Sequence, residues 1–145
     1  MTRYVAVVGP SRASGEETMA AEAVGRGLAA AGVTLVCGGL GGVMEAACRG
    51  AAANGGLTIG ILPGADRAAA NEWVKVALPT GLGELRNGLV VRAADALIAI
   101  GGAYGTLSEI ALALRTGVPV IGVNTWEIDG IEHVGSPEEA VARAT

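Results

Sequence analysis

The sequence predicts a single α/β domain over residues 1–145, with a mainly parallel sheet covered by helices on both faces. Three observations carry this. Apolar runs of strand length alternate with helical segments from end to end, a pattern that makes strand–helix–strand crossovers rather than hairpins. The chain is 51 % hydrophobic with 24 Gly and no Phe, so small residues must fill the core and let helices pack closely on buried strands. Glycine-rich turns also directly follow several of the strand-like runs.

The first apolar run, Tyr4–Val8, stops at Gly9-Pro10, and a helix over 16–30 follows. Ser14 stands three positions before Glu17, the capping-box spacing, and Gly32 sits where a helix would end. A second strand over 33–37 leads into the turn Gly38-Gly39-Leu40-Gly41-Gly42, then a helix over Val43–Ala53 that Asn54-Gly55-Gly56 stops. A third strand over 57–62 closes at Pro63-Gly64, and a polar stretch leads to a strand-like run over 73–78. After the turn Pro79-Thr80-Gly81 come a helix over 84–93, a strand over Ala96–Ile100, the turn from Gly101 to Gly105 and a helix over 106–115. A strand over 118–123 and a short edge strand over 131–134 precede a last helix. Ser136 would cap that helix, with Pro137 in its first turn and Glu138 and Glu139 beside the dipole. The connections are too short for a second domain.

Composition excludes several classes of function. The net charge of −4 argues against a nucleic-acid partner, which needs clustered cations to neutralise phosphates. The mean hydropathy is +0.49, but the longest uncharged stretch is broken by Gly27, Gly32, Gly38, Gly39, Gly41 and Gly42, so no membrane span is expected. A strand-type run begins at Tyr4 with no basic region and long apolar segment before it, which makes the expected location cytoplasmic. His133 is the only histidine and Lys75 the only lysine, so a His-based metal cage is excluded and no metal site is expected. Cys37 and Cys48 read as small buried residues rather than a disulfide or metal pair.

In a doubly wound sheet, ligands bind beyond the carboxyl ends of the strands, where the strand order reverses. The turn Gly9-Pro10-Ser11, the turn from Gly38 to Gly42 and the turn Gly101-Gly102-Ala103-Tyr104-Gly105-Thr106 all fall at such ends. Glycine lets backbone N–H groups approach phosphate oxygens, and the helix that begins at once points its positive end at the same anion. Gly9, Ser11, Gly39, Gly41, Gly42, Gly102, Tyr104, Gly105 and Thr106 are therefore the candidate phosphate and nucleotide contacts. No GxGxxG follows the first strand and no glycine turn leads into Lys-Ser or Lys-Thr, so neither a dinucleotide fingerprint nor a Walker A loop is present. Glu109 lies one helical turn after Thr106, and Arg86 precedes the strand that carries the turn. An arginine matches a phosphate or carboxylate with two parallel bonds, and a carboxylate near a ribose can bind hydroxyls or activate water.

The run Gly101-Gly102-Ala103-Tyr104-Gly105-Thr106-Leu107-Ser108-Glu109 resembles the PGGxGTxxE signature of the LONELY GUY (LOG) phosphoribohydrolases, proteins often mislabelled lysine decarboxylases. Arg86 stands at the family's separation from the signature glutamate, and Asp95-Ala96 matches its Ser-Asp-Ala before the strand. The resemblance spans nearly the whole chain, including Gly38-Gly39 through Met44 and the run from Gly55 to Pro63. It implies a Rossmann-like homodimer that binds nucleoside 5′-monophosphates without a metal or organic cofactor, with Arg86 and Glu109 as the catalytic pair. Three positions depart: Gly101 replaces the signature proline, Ala103 its second glycine, and Asn87 the lysine after the arginine. The run from Thr80 to Arg86 and the sequence after Glu109 look closer to a sister branch that contains molybdenum cofactor carrier proteins.

Two functions follow as expectations. One is hydrolysis of a nucleoside 5′-monophosphate to free base, with Arg86 orienting ligand or glutamate by bidentate contacts, Glu109 acting on ribose or water, and Gly102, Gly105 and Thr106 holding phosphate. The amides near Gly41 and Gly42 would line the opposite wall. The alternative is a non-catalytic carrier of a phosphorylated ligand such as the pterin phosphate of molybdenum cofactor. Decarboxylation through a Schiff base is rejected, because Lys75 sits in Trp73-Val74-Lys75-Val76 as an ordinary strand charge.

Overall fold

The computed structural model describes residues 2–145. The strands are β1 (Tyr4–Val8), β2 (Thr34–Cys37), β3 (Thr58–Leu62), β4 (Val76–Pro79), β5 (Ala96–Ile100), β6 (Val120–Val123) and β7 (Glu132–His133). The helices are α1 (Gly15–Ala30), α2 (Val43–Ala53), α3 (Asn87–Arg92), α4 (Tyr104–Thr116) and α5 (Pro137–Ala144). The strands form one sheet in the order β4-β3-β2-β1-β5-β6-β7, with every pairing parallel. From β1 the chain walks outward to β4, returns to lay β5 against the other side of β1, and walks outward again. The carboxyl ends of β1 and β5 are therefore the switch point at which this architecture opens a crevice.

Side-chain alternation along the central strands divides the core in two. Val5, Val7, Leu35, Ile98 and Ile100 face a layer made by α1, α2 and α5, while Ala6, Val8, Val36, Leu97 and Ala99 face α3 and α4. Because both faces are covered, β1, β2 and β5 are buried almost end to end, which explains why they read as unbroken apolar runs. The capping box forms as spaced: Ser14 Oγ accepts from Glu17 N at 3.1 Å, and Glu17 Oε1 accepts from Ser14 N at 2.8 Å.

The contact between α1 and α2 depends on two glycines. A Cβ added to Gly25 would lie 2.0 Å from the carbonyl oxygen of Ala47, and one added to Gly50 would lie 2.1 Å from that of Glu22. No rotamer relieves a clash with backbone, so the helices must separate. Gly25→Val is expected to destabilise the fold by about 3 kcal/mol or more, read as a lower urea midpoint at unchanged slope.

The elements depart from the sequence-based boundaries where tertiary contacts compete with local pattern. The run at 73–78 pairs only from Val76, because Thr58 Oγ1 donates to Trp73 O and accepts from Lys75 N, holding the chain in a turn before the strand begins. The helix placed at 84–93 splits into a tight 3-10 turn, Gly83–Arg86, followed by α3. The strand placed at 118–123 starts at Val120, since Val118 N is used to close the end of α4 on Ala113 O. Helix α4 begins at Tyr104, two residues earlier than the pattern suggested, so Gly105 and Thr106 belong to its first turn.

Candidate functional site

A cleft of about 200 Å³ opens at the switch point. The loop after β1 supplies Gly9, Pro10 and Ser11; the turn after β2 supplies Gly38; the first turns of α4 supply Gly105, Thr106 and Glu109; Arg86 and Asn87 close it from the α3 side. Residues from four separate stretches of chain thus meet in one place.

Helix α4 presents its amino end to this cleft without a cap of its own. Its N-cap residue, Ala103, contributes no side-chain bond, so the first backbone N–H groups of the helix keep their donors free. Thr106 lies in that first turn, is buried, and its Oγ1 has no hydrogen-bond partner among the described residues. A buried hydroxyl without a partner is destabilising unless something fills its position, and free amides with a positive helix end favour an anion there.

Glu109 sits one turn deeper and is only 7 % exposed. Burial raises its carboxyl from the usual 4.5 to about 7, an effect that the charge of Arg86 opposes. The ion pairs among the described residues lie elsewhere, on α1 with α2 and near the carboxyl-terminal edge of the sheet. Near neutral pH, Glu109 is therefore poised between a proton donor and a carboxylate.

Arg86 is bound chiefly to its own protein. Nε donates to Ile61 O at 2.9 Å, one terminal nitrogen donates to Gly38 O at 3.4 Å, and the other donates to Asn87 Oδ1. The guanidinium staples the ends of β2 and β3 together while keeping its charge at the cleft wall. A Cβ on Gly38 would lie 2.7 Å from a terminal nitrogen of Arg86 and 2.9 Å from Met44 Sδ, so a larger residue there would push both side chains aside.

Of the residues singled out in the sequence, Gly9, Ser11, Arg86, Gly105, Thr106 and Glu109 line the cleft together. Gly39, Gly41, Gly42, Gly102 and Tyr104 do not belong to its lining. Gly39 (φ 80°) turns toward β3, where a Cβ would meet Leu62 at 2.6 Å. Gly42 (φ 66°) rests on the loop after β1, where a Cβ would lie 2.3 Å from Pro10 O, and that same carbonyl accepts from Val43 N at 3.0 Å. The amino end of α2 is thus partly satisfied from within, unlike that of α4. Gly41 stands at the rim, with Ser11 O the nearest neighbour. Gly102 lies under the indole of Trp126, and Tyr104 points outward at 84 % exposure.

Gly38, Leu40, Met44 and Asn87, which were not among the individual candidate contacts, also line the cleft. Gly38 and Leu40 belong to the glycine turn that the sequence marks and Asn87 adjoins Arg86, whereas Met44, on α2, enters through contacts between distant elements. Lys75 is exposed on the stretch before β4 and is not part of the cleft. A larger hollow, about 770 Å³, lies beside α1 on the far side of β5 and β6. Glu16, Glu17 and Glu22 line it together with Arg26, a net negative wall that disfavours an anion.

Comparison with known proteins agrees with this fold. The model of the SLOG cluster4 family matches residues 2–145. An uncharacterized protein of Archaeoglobus fulgidus is 41 % identical over 138 residues, which cover 94 % of this chain and 91 % of that one. Among solved structures, the molybdenum cofactor binding protein of the phototrophic bacterium Rippkaea orientalis superposes with a TM-score of 0.94 at 35 % identity, covering 99 % of this chain and 95 % of that one. The molybdenum cofactor carrier protein of Chlamydomonas reinhardtii superposes with a TM-score of 0.89 at 28 % identity, covering 99 % and 96 %.

Proposed function

The chain belongs to the SLOG cluster4 family, and from that membership and the geometry of the cleft we propose that it is a binding or carrier protein for a phosphorylated small molecule, with molybdenum cofactor as the leading ligand. The observation that carries this reading is the buried, unpartnered hydroxyl of Thr106 at the uncapped amino end of α4. A phosphate placed there accepts from Thr106 and from the first backbone N–H groups of the helix, with the Arg86 charge at the wall and the loop around Ser11 as the rim. The likeness to the Rippkaea and Chlamydomonas proteins supports the choice of a pterin phosphate over other phosphate esters.

Hydrolysis of a nucleoside 5′-monophosphate is the second reading, favoured by one observation: a buried glutamate with its carboxyl raised to about 7 lies one helical turn beyond the phosphate position. That is the tuning expected of a group which gives or takes a proton near neutral pH. In the carrier reading the same burial lets Glu109 stay protonated beside a bound anion. The proposal includes a homodimer in the cytoplasm, without nucleic acid, metal or organic cofactor as a working part.

Two measurements separate the readings. Native mass spectrometry after incubation with molybdenum cofactor is expected to show a stoichiometric complex, and its absence contradicts the carrier reading. Incubation with AMP is expected to release adenine only at the background rate; sustained release that Glu109→Gln abolishes establishes hydrolysis instead. Light scattering during size-exclusion chromatography tests the dimer.

A further inference from the structure

We infer that the Tyr104–Trp126 pair is a stacking platform at the cleft rim for the planar ring of the ligand, so that the site selects phosphate esters of flat heteroaromatic compounds. This rests on the phosphate-binding reading and adds what the far end of the ligand must be. The cleft, at about 200 Å³, is smaller than the roughly 300–1,000 Å³ that encloses a whole drug-sized ligand. It accepts the phosphate end, and the remainder must lie over the rim.

At that rim stands Tyr104, the first residue of α4, between two residues, Ala103 and Gly105, that line the cleft. Its side chain is 84 % exposed, an unusual position for a large ring that takes no part in the core. One side of the ring is backed by Trp126 in an offset stack, with centroids 6.5 Å apart and planes 23° from parallel. The other side faces solvent.

The backing is rigid. Trp126 Nε1 donates to Ala103 O at 3.1 Å, Thr125 Oγ1 donates to Gly101 O at 2.5 Å, and Gly101 N donates to Val123 O at 3.2 Å. Gly102 lets the indole lie flat on the loop, since a Cβ there would stand 3.1 Å from Nε1. The segment after β6 thus ties an aromatic surface to the same turn that leads into the phosphate position. Trp126 is thus a fixed backing, and the Tyr104 ring, with only two rotatable side-chain bonds, loses little freedom when a second ring stacks on it.

The test compares AMP, which has a ring, with ribose 5-phosphate, which lacks one, by calorimetric titration of wild type, Tyr104→Ala and Tyr104→Phe. Wild type is expected to bind AMP more tightly than ribose 5-phosphate. Tyr104→Ala should weaken AMP about ten-fold and leave ribose 5-phosphate unchanged, while Tyr104→Phe should retain the difference. In a Trp73→Phe background, AMP should quench Trp126 fluorescence and ribose 5-phosphate should not. If wild type binds both but Tyr104→Ala weakens them equally, or weakens neither, the platform is wrong while the phosphate site stands. If wild type binds neither, the phosphate reading falls and the platform falls with it. Tyr104 is 84 % exposed, so its variants should fold as wild type does; Trp73 packs against the core, so the urea midpoint of the Trp73→Phe background is compared with that of wild type before titration.

Discussion

Replacing Glu109 by glutamine is expected to make the ligand-free protein more stable at pH 8, by about 3 kcal/mol, and to leave its stability at pH 4 nearly unchanged. The carboxyl is raised from 4.5 to about 7 by burial, with Arg86 only partly opposing the rise. Below pH 4.5 the folded and unfolded chains both carry the proton, so no difference arises. Between 4.5 and 7 the unfolded chain releases its proton while the folded chain keeps it, and stability falls as pH rises. Above 7 the folded protein holds a buried carboxylate, and the deficit levels off at about 3 kcal/mol. Glutamine reproduces the shape of the neutral acid and cannot ionise, so the pH-dependent loss should vanish. Urea unfolding of both proteins across this range checks it; an equal difference at both ends would mean that Glu109 titrates normally. The same linkage predicts that an anion in the cleft binds with uptake of a proton above pH 7, because phosphate and carboxylate repel at close range.

Arg86→Ala is expected to destabilise the protein by roughly 2–5 kcal/mol and to abolish anion binding. The guanidinium serves Ile61 O, Gly38 O and Asn87 Oδ1 together, so its removal leaves three acceptors short of donors and takes the only cation from the cleft lining. It also removes the influence that lowers Glu109, so that carboxyl should titrate higher still. Arg86→Lys should restore little, because a single ammonium cannot reach two backbone carbonyls and a side-chain amide in the fixed fan that a guanidinium offers. Recovery of wild-type stability by lysine would show that charge alone matters at this position.

The strand–helix alternation was legible in the sequence because both periodicities and their glycine stops are local. So was the placement of α4 at the end of β5, with Thr106 and Glu109 one turn apart. What was not legible was the job of each glycine. A turn needs positive φ whether it cradles a phosphate or merely passes a neighbouring strand, and Gly39 and Gly42 meet Leu62 and Pro10 rather than the cleft. Nor does the sequence distinguish an arginine that grips ligand from one that staples β2 to β3, since Gly38 and Ile61 stand far from Arg86 along the chain. The neighbouring thiols show the same limit: Cys37 and Cys48, read as separate small residues, approach within 3.5 Å between sulfurs at the back of the turn. Contacts across the switch point exist only once β5 has been laid beside β1.

The most direct test of the phosphate site is the affinity of ribose 5-phosphate for wild type and Thr106→Val, titrated side by side at pH 6. Valine keeps the branched shape and removes the buried hydroxyl that has no partner among the described residues. The ligand-free variant should be as stable as wild type or more so, while its affinity falls about ten-fold or more, the loss expected for a hydrogen bond to a charged group. Equal affinity in the two proteins would place the phosphate elsewhere and contradict the site at the amino end of α4.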